Sequence, residues 1–256
     1  MFWKIDCFVG TVTRSITPIA SAVFKLGGKP VFVSHVEEPK CERCGQNMDF
    51  IGQIPLKSPL KFSKRFAMAY LFMCPGKFDE RVGLECETWE AFSGANAVIL
   101  QEDHGRALIA EGPHRYVDYE VRLQRLPEPN VDVTDERISE REAAQVSEDT
   151  KIGGVPAWLQ MNETPACPMC GLPMRFVAQI SAEPDGPLPA DTWDAVTPSS
   201  RRWDDATPAV PVTRSSRRWD DKNNHAFFDF GDVGLGYVFV CARDCTNRGA
   251  FLWQCS

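Results

Sequence analysis

The chain has 256 residues, 43% hydrophobic and 25% charged, with a formal net charge of −7, a composition ordinary for one or two soluble globular domains. No run of eighteen apolar residues could cross a bilayer as a helix, and the opening MFWKIDCFVGTVTR has no basic n-region ahead of an apolar h-region, so a soluble cytoplasmic protein is expected. The acidic balance argues against nonspecific nucleic-acid binding and favours a basic protein partner.

Residues 25–54, KLGGKPVFVSHVEEPKCERCGQNMDFIGQI, recur without a gap 126 positions later as KIGGVPAWLQMNETPACPMCGLPMRFVAQI. Thirteen of the thirty positions are identical, where unrelated segments share roughly two, so the chain reads as two copies of one unit. The identities gather on Lys25/Lys151, the glycine pairs, Cys41/Cys167, Cys44/Cys170, Gly45/Gly171, Met48/Met174, Phe50/Phe176 and Gln53/Gln179. The first copy continues through a basic loop into FAMAYLFMC (66–74), NAVILQ (96–101) and YVDYEVRLQ (116–124), each of strand length, the last alternating apolar with polar residues. Residues 127–150 carry eight acids against two arginines and read as a solvated acidic connector. Thr134 can cap a helix there, and Ser139 with Glu142 has capping-box spacing, so part of it is expected to be a short exposed helix.

The second copy is interrupted at 181–224 by an insertion rich in Pro, Asp, Ser and Thr, in which SSRRWDD occurs at 199–205 and again at 215–221. Its low apolar content reads as disorder, with Trp203 and Trp219 beside paired arginines as candidate partner-binding residues. The repeat then resumes: YVFVC (237–241) matches YLFMC (70–74), and GAFLWQ (249–254) matches NAVILQ. The expected fold is therefore mainly β (α+β). It has two pseudo-symmetric lobes from an internal duplication, each an antiparallel sheet: 1–126, then the connector 127–150, then 151–256.

Eight of the ten cysteines fall into two matching sets. In the second lobe, Cys167-x2-Cys170-Gly and Cys241-x3-Cys245 are the two knuckles of a zinc ribbon, four thiolates around one tetrahedral ion at about 2.3 Å. Repeat register assigns Cys41, Cys44, Cys74 and Cys86 to the first lobe, with Cys86 the weakest member because eleven residues separate it from Cys74. Two structural zinc ions are expected, with iron in a rubredoxin-like site as the alternative. Each tetrathiolate adds about −2 to the formal charge, taking −7 to roughly −11. A thioredoxin-type redox reading fits less well, since that motif needs no distal pair. Cys7 and Cys255 have no counterpart in the repeat.

Other motifs carry less. Gly231, Gly234 and Gly236 lack the Lys-Ser/Thr of a phosphate loop and read as a turn entering a strand, and the four histidines are scattered with no nucleophile beside them. Phe32 and Trp158 stand two residues after the repeated prolines; they read as core rings first and as partner contacts second.

The ordered series KIGGVPAWL, CPMCGLPMRFVAQI, YVFVC and a strand ending in Gln, present twice, resembles the family that joins programmed cell death protein 2, its yeast ribosome-assembly relative and bacterial YwqG-like proteins. The likeness covers both copies but neither the connector nor the insertion. It implies a two-lobed, mostly β protein without a catalytic centre, whose eukaryotic relatives act as chaperones for a basic ribosomal protein. The expected function is thus a non-enzymatic, zinc-stabilised protein-binding module, chaperone-like toward a basic client held between the lobes or along an exposed sheet edge. The alternatives are an immunity or toxin-neutralising protein and an enzyme acting on a small molecule between the lobes.

Overall fold

The computed structural model describes residues 2–35, 37–76, 86–105, 107–112, 114–182, 228, 230–231 and 233–255. Trp203, Trp219, both SSRRWDD segments and nearly all of the 181–224 insertion lie outside the described residues. In chain order the strands are β1 (Lys4–Ile5), β2 (Cys7–Arg14), β3 (Lys25–Leu26), β4 (Val31–Phe32), β5 (Asp49–Pro55), β6 (Met68–Met73), β7 (Asn96–Gln101), β8 (Leu108–Ile109), β9 (Tyr119–Arg125) and β10 (Glu128–Pro129). A one-turn helix α1 (Glu140–Ala143) precedes β11 (Lys151–Gly153), β12 (Arg175–Ser181), β13 (Leu235–Val240) and β14 (Arg248–Gln254).

Ten of these strands close into one antiparallel barrel, in the order β11-β12-β13-β14-β7-β6-β5-β3-β9-β2. The sequence predicts one sheet per lobe; the structure joins the strands of both into a single barrel. The reason is visible at the two seams. β14 pairs with β7 (Arg248↔Ile99, Gly249↔Val98), and β2 pairs with both β9 and β11. Strands that would be exposed edges of two separate sheets pair with each other, which removes the edges. Among the described residues the two halves share one interior, and every barrel strand is paired on both sides.

Residues 126 apart occupy corresponding places. β3 and β11 lead into the tight Gly-Gly turn, and β5 and β12 each carry a bulge at the same position, Phe50/Gly52 and Phe176/Ala178. β6 and β13 alternate between the two sides of the wall: Ala69, Leu71, Val238 and Val240 join the barrel interior, while Tyr70, Phe72, Tyr237 and Phe239 join separate outer clusters. Because both faces are buried, these strands read as continuous apolar runs rather than alternating ones. β9 alternates, with Tyr119 and Val121 buried between more exposed neighbours, whereas in β2 the buried residues Cys7 and Val12 lie five apart, on opposite faces.

The connector is more than a solvated spacer. Val131 and Val146 are buried, and Val133 and Ile138 pack with them against Val155, Ala157 and Trp158, so the segment covers the outer flank of the second half. No helix starts at Thr134; Asp132 accepts hydrogen bonds from its N–H and hydroxyl at 3.0 and 2.7 Å, an Asx turn that takes the cap position away. The helix is confined to α1, where the Glu142 carboxylate accepts from the Ser139 N–H at 3.2 Å.

Candidate metal centres

Each outer flank carries one cysteine tetrad. The first knuckle closes through the Gly45 N–H donating to the Cys41 carbonyl at 2.8 Å, and the second repeats it with Gly171 and Cys167 at 2.8 Å. Gly45 and Gly171 have φ of 72° and 69°, the left-handed region that a knuckle requires and glycine adopts without strain. Flanking bridges Lys40↔Asn47 and Ala166↔Pro173 pin the two arms of each loop. The distal cysteines come from the ends of β6 and β13, whose next residues are Cys74 and Cys241.

The structure brings together Cys41, Cys44, Cys74 and Cys86, and separately Cys167, Cys170, Cys241 and Cys245, the sulfurs of each set lying within 4.8 Å of one another. A tetrahedral tetrathiolate with bonds of about 2.3 Å separates its sulfurs by about 3.8 Å. The Sγ distances Cys41–Cys86 and Cys170–Cys241 are both 3.8 Å, and Cys44–Cys74 and Cys241–Cys245 are both 3.5 Å. The donor set and spacing therefore fit one metal ion each. Cys86 stands in the first tetrad despite its long spacing, close to Cys41.

Electrostatics favour a cation at both places. Burial pushes Cys86 up to about 11 and raises Cys74 as well. In the second set Cys245 is pushed up to about 12, first by its hydrogen bond with the Cys241 sulfur. Cys241 itself falls to about 6: burial opposes a thiolate there, but the backbone N–H groups of Cys245 and Arg243 outweigh it. Four thiolates this close repel one another, so the thiols other than Cys241 give up their protons when a divalent ion replaces them. The tetrads differ in access: all first-set ligands except the half-buried Cys44 are buried, whereas Cys245 is exposed.

Phe32 and Trp158 sit under these knuckles, 4% and 8% exposed. Phe32 lies 4.9 Å from Tyr70 and stacks on Phe72 at 6.5 Å; Trp158 lies 4.6 Å from Tyr237 and stacks on Phe239 at 6.0 Å. Both rings are core residues in this arrangement.

What holds these rings in place is carried in the sequence by the identity of Gln53/Gln179, Tyr70/Tyr237 and Gln101/Gln254. Gln53 accepts from the Val31 N–H at 2.8 Å and donates to Ser21 and Val23 carbonyls; Gln179 accepts from Ala157 N–H at 2.9 Å and donates to Ser147 and Asp149. Gln101 accepts from Val33 and Ser34, Gln254 from Leu159 and Gln160. The Tyr70 and Tyr237 hydroxyls donate to the carbonyls of Val31 and Ala157, both at 2.8 Å. Buried glutamines thus satisfy the backbone of a short extended segment that has no barrel strand beside it.

The repeated lysines are also buried. Lys25 pairs with Asp118, and Lys151 with Glu128 at 2.8 and 3.0 Å. Burial lowers the pKa of both lysines, against the pull of their carboxylates. The paired glycines follow from this: a Cβ on Gly28 would meet the Asp118 carboxylate at 2.2 Å, and one on Gly154 would meet Glu128 Oε2 at 2.2 Å.

No protein-family model matches the chain, and no curated protein matches it.

Proposed function

We propose that the protein is a non-enzymatic, zinc-stabilised protein-binding module, chaperone-like toward a basic partner in the cytoplasm. The observation that carries it is the closure of both cysteine tetrads: each offers four sulfur donors at tetrahedral spacing, leaving no position for water or substrate. A metal held this way stabilises the fold and does no chemistry. Zinc is the ion assigned, since it takes four thiolates without redox activity. We read the matching hydrogen bonds of the two halves as the product of an internal duplication. The resemblance to the programmed cell death protein 2 and YwqG-like family rests on the repeated GG-x-P, C-x2-C-G, Tyr and Gln positions and supports the same reading.

Metal content by mass spectrometry tests the first part. Two zinc ions per chain should fall to one in Cys86→Ser; two in the variant overturn the first tetrad, and a visible thiolate-to-iron absorption band overturns zinc. Affinity capture at moderate salt followed by mass spectrometry tests the second. A basic protein enriched over control is expected, and repeated capture of nothing overturns the binding role.

A further inference from the structure

We propose that the second half carries an open strand slot against Ala157–Trp158 that takes an extended peptide segment bearing a basic side chain; this rests on the protein-binding reading above and names its surface. The first half shows what such a slot holds. There β4 pairs with β8 in the register Val31↔Ile109 and Phe32↔Leu108, and the Ala110 N–H donates to the Pro30 carbonyl at 3.1 Å. β8 lies outside the barrel, on the connection from β7 to β9, with both side chains exposed.

Ala157–Trp158 is the counterpart of β4. Gln179 and Tyr237 hold it as Gln53 and Tyr70 hold β4. Among the described residues, however, no strand pairs with it. The topology explains the difference. β8 lies on the connection from β7 to β9, the strand beside β3; the strand beside β11 is β2, which precedes β14 in the sequence and so is not reached by a corresponding connection.

A cavity of about 620 Å³ adjoins Ala157 and Trp158, lined also by Val133, Val146, Glu148 and Asp149. That volume is within the usual range of ligand sites, about 300–1,000 Å³. Its walls select the occupant. Gln179 and Tyr237 take the Ala157 N–H and carbonyl, so the outward edge at Trp158 is what is offered to strand addition, in which main-chain hydrogen bonds give affinity and side-chain pockets give specificity. Glu148 and Asp149 are exposed acids, and the corresponding residues of the first half are Ala22 and Val23, so the charge belongs to the open slot alone. Trp158 replaces Phe32, and an indole is the better ring for a cation.

The test is fluorescence anisotropy of the metal-loaded full chain with three capped, fluorescein-labelled octapeptides: (Lys-Val)4, (Glu-Val)4 and the fully N-methylated analogue of the first. (Lys-Val)4 is expected to bind at least about tenfold more tightly than either control. Glu148→Lys with Asp149→Lys, both exposed, should weaken it about tenfold without changing metal content, and Ala144→Trp should weaken it by filling the cavity. Equal binding of the N-methylated peptide would show charge attraction only and overturn the slot, as would failure of all three to bind or indifference to both variants. Affinity capture separates this failure from that of the wider reading. If wild type and the double charge variant capture the same basic protein equally, the slot falls and the module stands; if wild type captures nothing, both fall.

Discussion

Replacing Lys151 by methionine tests whether the buried ion pairs hold the fold in the way their burial implies. Lys151 Nζ and the Glu128 carboxylate are 0% and 1% exposed. Glu128 also accepts from the Ser147 and Val155 N–H groups, at 2.9 and 3.2 Å. Methionine fills the volume of the lysine stem but strands a carboxylate that keeps two backbone donors and no cation. Breaking a buried pair from one side costs about 3–5 kcal/mol, and the surviving donors place this case at about 3–4. For a chain of this size that is a fall in Tm of about 6–16 °C. Lys25→Met supplies the internal control. Its partner Asp118 is 13% exposed and can be hydrated, so the loss should be smaller, about 1–3 kcal/mol. Thermal unfolding of the metal-loaded proteins, followed by circular dichroism, measures both. Lys151→Met combined with Glu128→Leu should cost less than the sum of the two single changes, since neither partner is then left alone. Equal losses at Lys151 and Lys25, or strict additivity in the double variant, would refute the assignment of the cost to a stranded buried charge.

Four further outcomes follow from the same geometry. Gly154→Ala combines a φ of +69° with a Cβ 2.2 Å from Glu128 Oε2 and should cost more than about 3 kcal/mol, whereas Gly171→Ala has the same φ and open space and should cost about 1–2; urea unfolding ranks them. Gln179→Ala leaves the Ala157 N–H and the Ser147 and Asp149 carbonyls without their partner and should cost about 3 kcal/mol in the same assay, with amide exchange accelerated at Ala157. A chelator should empty the second tetrad before the first because Cys245 is exposed, seen as biphasic release in which Cys245→Ser abolishes the fast phase. Burial, then Glu128, pushes the Cys7 thiol up to about 12, so folded protein at pH 8 should resist iodoacetamide at Cys7 while denatured protein reacts, as peptide mapping would show.

Much of this arrangement was legible in the sequence, and where it was not the cause is physical. The second tetrad follows from local spacing, and the first follows only from repeat register, because Cys74 and Cys86 are twelve positions apart and share no knuckle. NAVILQ has the bounds of β7, and FAMAYLFMC contains β6, since both are apolar runs of strand length. β2 has no clear period: CFVGTVTR is interrupted by Gly10 and threonines, and its buried residues Cys7 and Val12 lie five apart, so no strand pattern stands out. Nor does the barrel, because closure depends on pairings between distant strands that no local period encodes. Glu128 looked like one acid among eight in the connector, and only the fold puts it against Lys151.

β2 and β9 take equivalent places in the two halves. Each half supplies four barrel strands, and each needs a neighbour beside its short lysine strand. β9 fills that place next to β3 and β2 fills it next to β11. With both filled, the barrel strands have no unpaired edge among the described residues and the interior is common to the two halves, so it is packed as a whole and its matched positions differ, as at Leu71/Val238 and Val98/Phe251. The outer clusters keep Met48/Met174, Phe50/Phe176, Tyr70/Tyr237 and Phe72/Phe239 identical, and the flanks differ instead in what covers them. On the first, β8 lies over Val31–Phe32; on the second, the acidic connector packs against Trp158 and leaves a cavity beside it. A segment that reads as a spacer by charge is therefore, by position, one wall of the place where the two halves differ most.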